Sequence, residues 1–129
     1  DPKSVLSEWM RCLCPSGKII LFLPDKDRIF DNRRPRTLLS ELIERSDNKQ
    51  REIQRLLDEW MEQVIKCGLA SHYSDLSPEE MVQTGSIHYN VWKAQDIQEL
   101  AENIGFKVLK TEQCVPDRKD SFMVVLSKP

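Results

Sequence analysis

Glycine is scarce in this chain, four residues in 129, and no two of them stand one residue apart. Without a Gly-x-Gly there is no glycine-rich turn of the kind that lets a backbone close on a nucleotide's phosphates. Long hydrophobic runs are missing too. None approaches the roughly 20 residues that a membrane-spanning helix needs, and no basic-then-apolar leader opens the chain, so no membrane partner is expected. Charge of one sign is not in excess: 19 Lys and Arg face 21 Asp and Glu, a net charge of −2. Such a balance gives no general pull toward nucleic acid, and none is expected as a partner. Zinc-type spacing is absent as well. Cys12, Cys14, Cys67 and Cys114 form no Cys-x-x-Cys pair, so no metal site is expected. With no export signal, these cysteines read as reduced thiols of a cytoplasmic protein.

What is there is an ordinary globular composition, 40% hydrophobic and 31% charged, in a chain long enough for one domain at most. Val5, Leu6, Trp9, Met10 and Leu13 recur at helical spacing, so residues 3 to about 13 are predicted helical and are stopped by Pro15 and Gly17. Lys18 to Leu23 reads as a strand apolar on both faces, as in a sheet buried under helices. A helix is predicted from Thr37 to about Arg45, and a longer one from about Asn48 to Cys67. In the second, Ile53, Leu56, Leu57, Trp60, Met61, Val64 and Ile65 form one stripe, read as core or lid packing rather than a partner-binding face. Ser77-Pro78-Glu79-Glu80 is a capping box that opens a short helix. Ile97, Leu100, Ala101 and Ile104 mark another helix, ended by Gly105. Phe106 to Glu112 and Ser121 to Leu126 are strands whose short polar joint suits an antiparallel hairpin.

This order is α/β with three visible strands. A strand apolar on both faces normally has neighbours at both edges, and nothing before Lys18 supplies one. Residues 1–129 are therefore expected to be a single partial domain, the second half of something larger, with a lid-like helical insertion at about 37–84.

Charge is concentrated in one place. The stretch FLPDKDRIFDNRRPRT, residues 22–37, packs Asp25, Lys26, Asp27, Arg28, Asp31, Arg33, Arg34 and Arg36 directly after the most hydrophobic strand. Its interleaved aspartates argue against a phosphate track. In open α/β sheets ligands sit at the carboxyl ends of the strands. The charged loop leaves the first strand there. The segment Ile87 to Trp92 and the joint Val115 to Lys119 are expected at the same rim.

The stretch DPKSVLSEWMRCLCPSGKIILFLPD resembles the entry to the fifth strand of class I S-adenosylmethionine-dependent methyltransferases, with Pro-Ser-Gly where Pro-Gly-Gly is usual. PDKDRIFDNRRPRT followed by HYNVW, a helix, GF and two last strands is similar to a bacterial small-molecule or carbohydrate-type branch of that superfamily. The resemblance covers nearly the whole chain. It implies the carboxyl-terminal half of a Rossmann-like domain, with a three-stranded mixed sheet. Two strands would share a direction, and the last would run antiparallel between them. It also implies a small-molecule or carbohydrate acceptor at the rim, with S-adenosylmethionine as cofactor of a complete protein. The family's glycine-rich loop and ribose-binding acid have no counterpart here, so no cofactor-binding residue carries over and the isolated chain is not expected to bind the cofactor.

Asp25, Phe30, Asp31, Arg34, His88 and Trp92 are the candidate substrate-binding residues that the resemblance implies. Either Asp31 with Arg34 orients an acceptor hydroxyl or carboxylate, or Asp31 forms an ion pair with Arg33 or Arg34 inside its own loop. His88 is either a general base near neutrality or a ring that ties two loops together. Trp92 packs at a helix start or walls the pocket. His72 and Tyr73 carry no pattern and read as surface or packing residues. Two functions follow. The chain is the acceptor-binding part of a methyltransferase, or it is a non-catalytic relative that associates through an open sheet edge. A homo-oligomer or a missing amino-terminal half is the expected partner.

Overall fold

Helix α1 (Pro2–Cys12) starts at Asp1, whose carboxylate accepts the amide protons of Lys3 and Ser4 at 3.0 and 3.4 Å, with Pro2 in the first turn. Leu6 faces inward with Met10 and Leu13, while Val5 and Trp9 stay exposed. The computed structural model describes residues 1–45, 49–73 and 75–129, and for 49–52 the backbone alone.

A tight turn joins α1 to the first strand, closed by the Gly17 amide on the Cys14 carbonyl at 2.9 Å. Its third residue, Ser16, has φ +61°, the left-handed position that a type II turn normally gives to glycine. A side chain there costs about 1–2 kcal/mol in backbone strain, of which glycine's floppier unfolded state would return roughly 0.5–1. Ser16→Gly should therefore raise stability by about 0.5–1 kcal/mol in a urea titration. An unchanged or lower midpoint would show that the serine hydroxyl offsets the strain.

Strand β1 (Lys18–Pro24) leads through a 3-10 turn, Lys26–Arg28, into the charged loop. Helices α2 (Leu39–Arg45) and α3 (Lys49–Trp60) follow, and α3 runs on into a π-helical turn, Met61–Ile65. Asn48, expected to open this helix, lies outside the described residues. Helix α4 (Pro78–Thr84) has the predicted capping box: the Ser77 hydroxyl accepts from the Glu80 amide at 3.2 Å, and the Glu80 carboxylate accepts from the Ser77 amide at 2.7 Å. Helix α5 (Ala94–Ile104) ends at Gly105, then come β2 (Lys107–Glu112) and β3 (Ser121–Ser127).

The sheet order is β1-β3-β2, with the last strand central as expected. Both pairings are antiparallel: Leu21 lies opposite Val124, and Thr111 opposite the same residue from the other side. β1 and β2 therefore share a direction on either side of β3, as expected, but they never pair with one another; the expectation of a mixed sheet is corrected to a sheet whose pairings are all antiparallel.

The three helices α1, α2 and α5 pack on one face only. Leu6, Leu42, Ile97, Leu100 and Phe106 close over Phe122, Val124 and Leu126, with Ile19, Leu21, Leu23 and Val108 against them. The opposite face is bare: Ile20 is 59% exposed and Phe22 43%. The expectation that β1 is buried on both faces therefore fails for Ile20 and Phe22, because strand alternation turns them away from every helix. A second cluster, Leu57, Trp60, Val64, Ala70, Met81 and Ile87, is built mainly by the segment between β1 and α5, beyond the carboxyl end of β1. Among the described residues no helix is long and apolar enough to cross a membrane.

Candidate functional site

The three polar segments expected at one rim do meet there. The Asp25 amide donates to the Asp120 carbonyl at 2.8 Å and the Lys26 amide to the Trp92 carbonyl at 2.9 Å. Arg28 reaches across to the carbonyls of Gln113 and Lys119. Thr37 fastens the loop's far end: its amide donates to the Val91 carbonyl at 2.8 Å, and its hydroxyl accepts from the Val91 amide at 3.0 Å. Lys93 at the start of α5 pairs with Asp27, and this ammonium holds the Asp27 carboxyl below its ordinary value. Arg36 pairs with the buried Asp96, which raises the guanidinium's pKa, and Asp96 also accepts from the Lys93 amide at 2.7 Å.

At the centre, Asp31 Oδ2 lies 2.6 Å from His88 Nδ1, although 57 residues separate them. The Asp31 side chain is 1% exposed and that of His88 36%. A carboxylate accepts only, so in the neutral ring the proton sits on Nδ1 and the lone pair on Nε2. No hydrogen bond engages Nε2 among the described residues. The ring stacks on Phe30 with centroids 5.0 Å apart and planes inclined at 27°, which limits its rotation. His88 lines a cleft of about 260 Å³ with Pro24, Ile29, Asp31, Asn90 and Trp92.

Arg34 is fully buried. Its Nη1 donates to Asp31 Oδ1 at 2.8 Å and to the His88 carbonyl at 2.6 Å, and its Nε donates to Glu59 Oε1 at 2.8 Å. Trp60 covers the guanidinium, ring centroid 5.5 Å from Cζ. Arg34 thus forms an internal ion pair with Asp31 and holds the loop to α3. Arg33, its neighbour in sequence, points instead to Cys67 Sγ at 3.2 Å. Asp25 is also turned inward, capping the 3-10 turn by accepting from the Asp27 amide at 3.0 Å with Arg28 nearby. Trp92 sits in the sheet-side core at 9% exposure and closes one end of the cleft. Phe30 is the hub of a ring cluster with Trp60, His72, Tyr73 and His88.

Glu59, Trp60 and Arg45 were not singled out by sequence. Glu59 lies on the polar side of the α3 stripe and Trp60 within it, and nothing local marks either as a partner of Arg34. A second cleft, about 350 Å³ and largely apolar, lies between Pro2, Leu42, Ile53 and the segment Tyr89–Asn90. Asp1 and Arg45 supply its charged groups. Among the described residues no three His, Cys, Asp or Glu side chains gather closely enough to hold a metal ion. All four cysteines are free. No family model, curated protein or solved structure matches the chain.

Proposed function

We propose that this chain supplies the acceptor-binding part of an S-adenosylmethionine-dependent methyltransferase, with His88 as general base toward a hydroxyl bound in the cleft beside it. The Asp31–His88 pair carries this reading. Asp31 fixes the tautomer and offsets the positive charge the ring gains, while Nε2 takes the hydroxyl proton. The strand order, with the last strand central, supports a Rossmann-like origin of the half-sheet.

The acceptor is a neutral small molecule or carbohydrate. Among the described residues His88 is the one basic side chain lining the cleft; Arg34, bound to Asp31, Glu59 and a carbonyl and with only Nη2 unpartnered, is buried behind it. Asn90 adds an amide that suits a hydroxyl group. Among the described residues no lysine or arginine lines the cleft to meet a phosphate or carboxylate acceptor.

The residues present do not fit the cofactor. Gly17 closes the turn before β1, and Gly68, Gly85 and Gly105 follow helix ends, so none forms a cradle between a strand and a helix. A complete enzyme would draw that cradle from residues other than these. In a protein that joins this chain to such a half, His88→Ala should lower methyl transfer by about 10²–10⁴, more than the stability lost with the Asp31 bond and the Phe30 stack accounts for. Turnover equal to wild type, or a loss matched by lower stability, would remove His88 from the chemistry. A second reading, association through the bare sheet face, is favoured by the exposure of Ile20 and Phe22.

A further inference from the structure

The Asp31–His88 pair is one end of a chain of alternating charges. Asp31 pairs with Arg34, Arg34 with Glu59 of α3, and Glu59 Oε2 lies 3.6 Å from Arg55. Arg55 pairs with Glu41 of α2, and Glu41 with Arg45. Arg45 Nη1 then donates to Asn90 Oδ1 at 2.9 Å and to the Tyr89 carbonyl at 3.3 Å. The chain leaves the segment at His88 and returns to it at Asn90. Two arginines thereby hold the successive carbonyls of His88 and Tyr89.

Within this ring Glu59 occupies the decisive place. Arg34 has one guanidinium to share among Asp31, the His88 carbonyl and Glu59, and it is shut off from water. Its Nε bond to Glu59 fixes the plane of the fork, and the fork fixes the Asp31 carboxylate. We propose that Glu59 is a positioning residue for His88: acting through Arg34, it holds Asp31 at the angle that keeps the proton on Nδ1 and leaves Nε2 bare. This rests on the general-base reading above and adds to it a condition. The base is competent only while α3 is seated, so the helical segment beyond the strand both covers the rim and sets the histidine's tautomer.

The chain has two histidines, which makes the test clean. Nitrogen-15 labelling of the imidazoles in the full chain reports each tautomer directly, at a pH where both rings are neutral. His88 in the wild type should show the Nδ1–H form alone. Glu59→Leu, which removes both charge and acceptor, should turn that pattern into a mixture of tautomers while His72 stays as it was. Glu59→Gln keeps an acceptor oxygen and a similar shape. It should give a smaller change and serves as the readout if the leucine variant does not fold. Ile97→Val, a core change under the sheet, should lower stability without touching the tautomer. A single Nδ1–H pattern that persists in both Glu59 variants would overturn this inference and leave the general base in place. A wild-type His88 protonated on Nε2 would overturn both.

Discussion

Arg34→Ala should lower the stability of the chain by about 3–5 kcal/mol, the loss typical of breaking a buried ion pair from one side. The side chains of Arg34 and Asp31 are 0% and 1% exposed, and that of Glu59 is 16% exposed. Removal of the guanidinium leaves Asp31 with His88 alone, Glu59 with the more distant Arg55 alone and the His88 carbonyl without its arginine, in a space that Trp60 and Phe30 keep apolar. Lysine cannot repair this, because its single ammonium has no fork to meet three acceptors held in different directions. The comparison is Arg11→Ala. Its partner Glu8 and Arg11 itself are 58% and 72% exposed, and the pair lies in water. That variant should unfold at the wild-type urea concentration. Chemical denaturation with an unchanged slope measures both. A loss below about 1 kcal/mol for Arg34→Ala would mean that the cluster is hydrated and that the network does not fix the histidine.

The second large effect is expected in solution mass. At low micromolar concentration, light scattering should give at least twice the mass of one chain, and Ile20→Lys with Phe22→Lys should return it to one. Ile20 and Phe22 stand on the face that no helix covers, joined there by Val125 and Met123 across the pairing. The two sheet edges differ. The outer edge of β2 carries Lys107 and Lys110 and a register shift between Val108 and Lys110, features that discourage further pairing. β1 has one charge, Lys18, at its start, and no bulge. Apolar burial contributes about 25 cal/mol per Å², so a bare face beside an unguarded edge favours a second chain. Because both side chains are already more than 40% exposed, lysine there should leave the fold intact. A wild-type monomer, or an oligomer indifferent to the two lysines, would rule out association through this face.

The elements were legible where their signals are local. The capping box at Ser77, the glycine after Ile104 and the polar joint before Ser121 each specify backbone within a few residues, and the structure has the helix, the stop and the hairpin at those places. Which face of a strand is covered was not legible: Phe122 to Leu126 in β3 are all apolar, and only the structure shows that Phe122, Val124 and Leu126 are the buried ones. β1 is the same. All five residues from Ile19 to Leu23 are apolar, so period-two alternation is silent about which face is covered. Only the landing of α1, α2 and α5 on one side decided that Leu21 packs and Ile20 does not.

The site divides in the same way. Sequence brought Asp31, Arg34 and His88 forward by residue type and by their place at strand ends. It left open whether Asp31 pairs with Arg33 or Arg34, and whether that pair faces a ligand or the protein. Tertiary structure settled the pairing, because the turn that carries the Arg34 amide to the Asp31 carbonyl at 2.9 Å aims one arginine at α3 and the next at Cys67. It also brought Glu59 and His88 to one guanidinium from 25 and 54 residues away. A short-range pattern cannot encode that meeting. It depends on how helices stack beyond a strand end, and long-range packing of that kind is a property of the assembled chain alone.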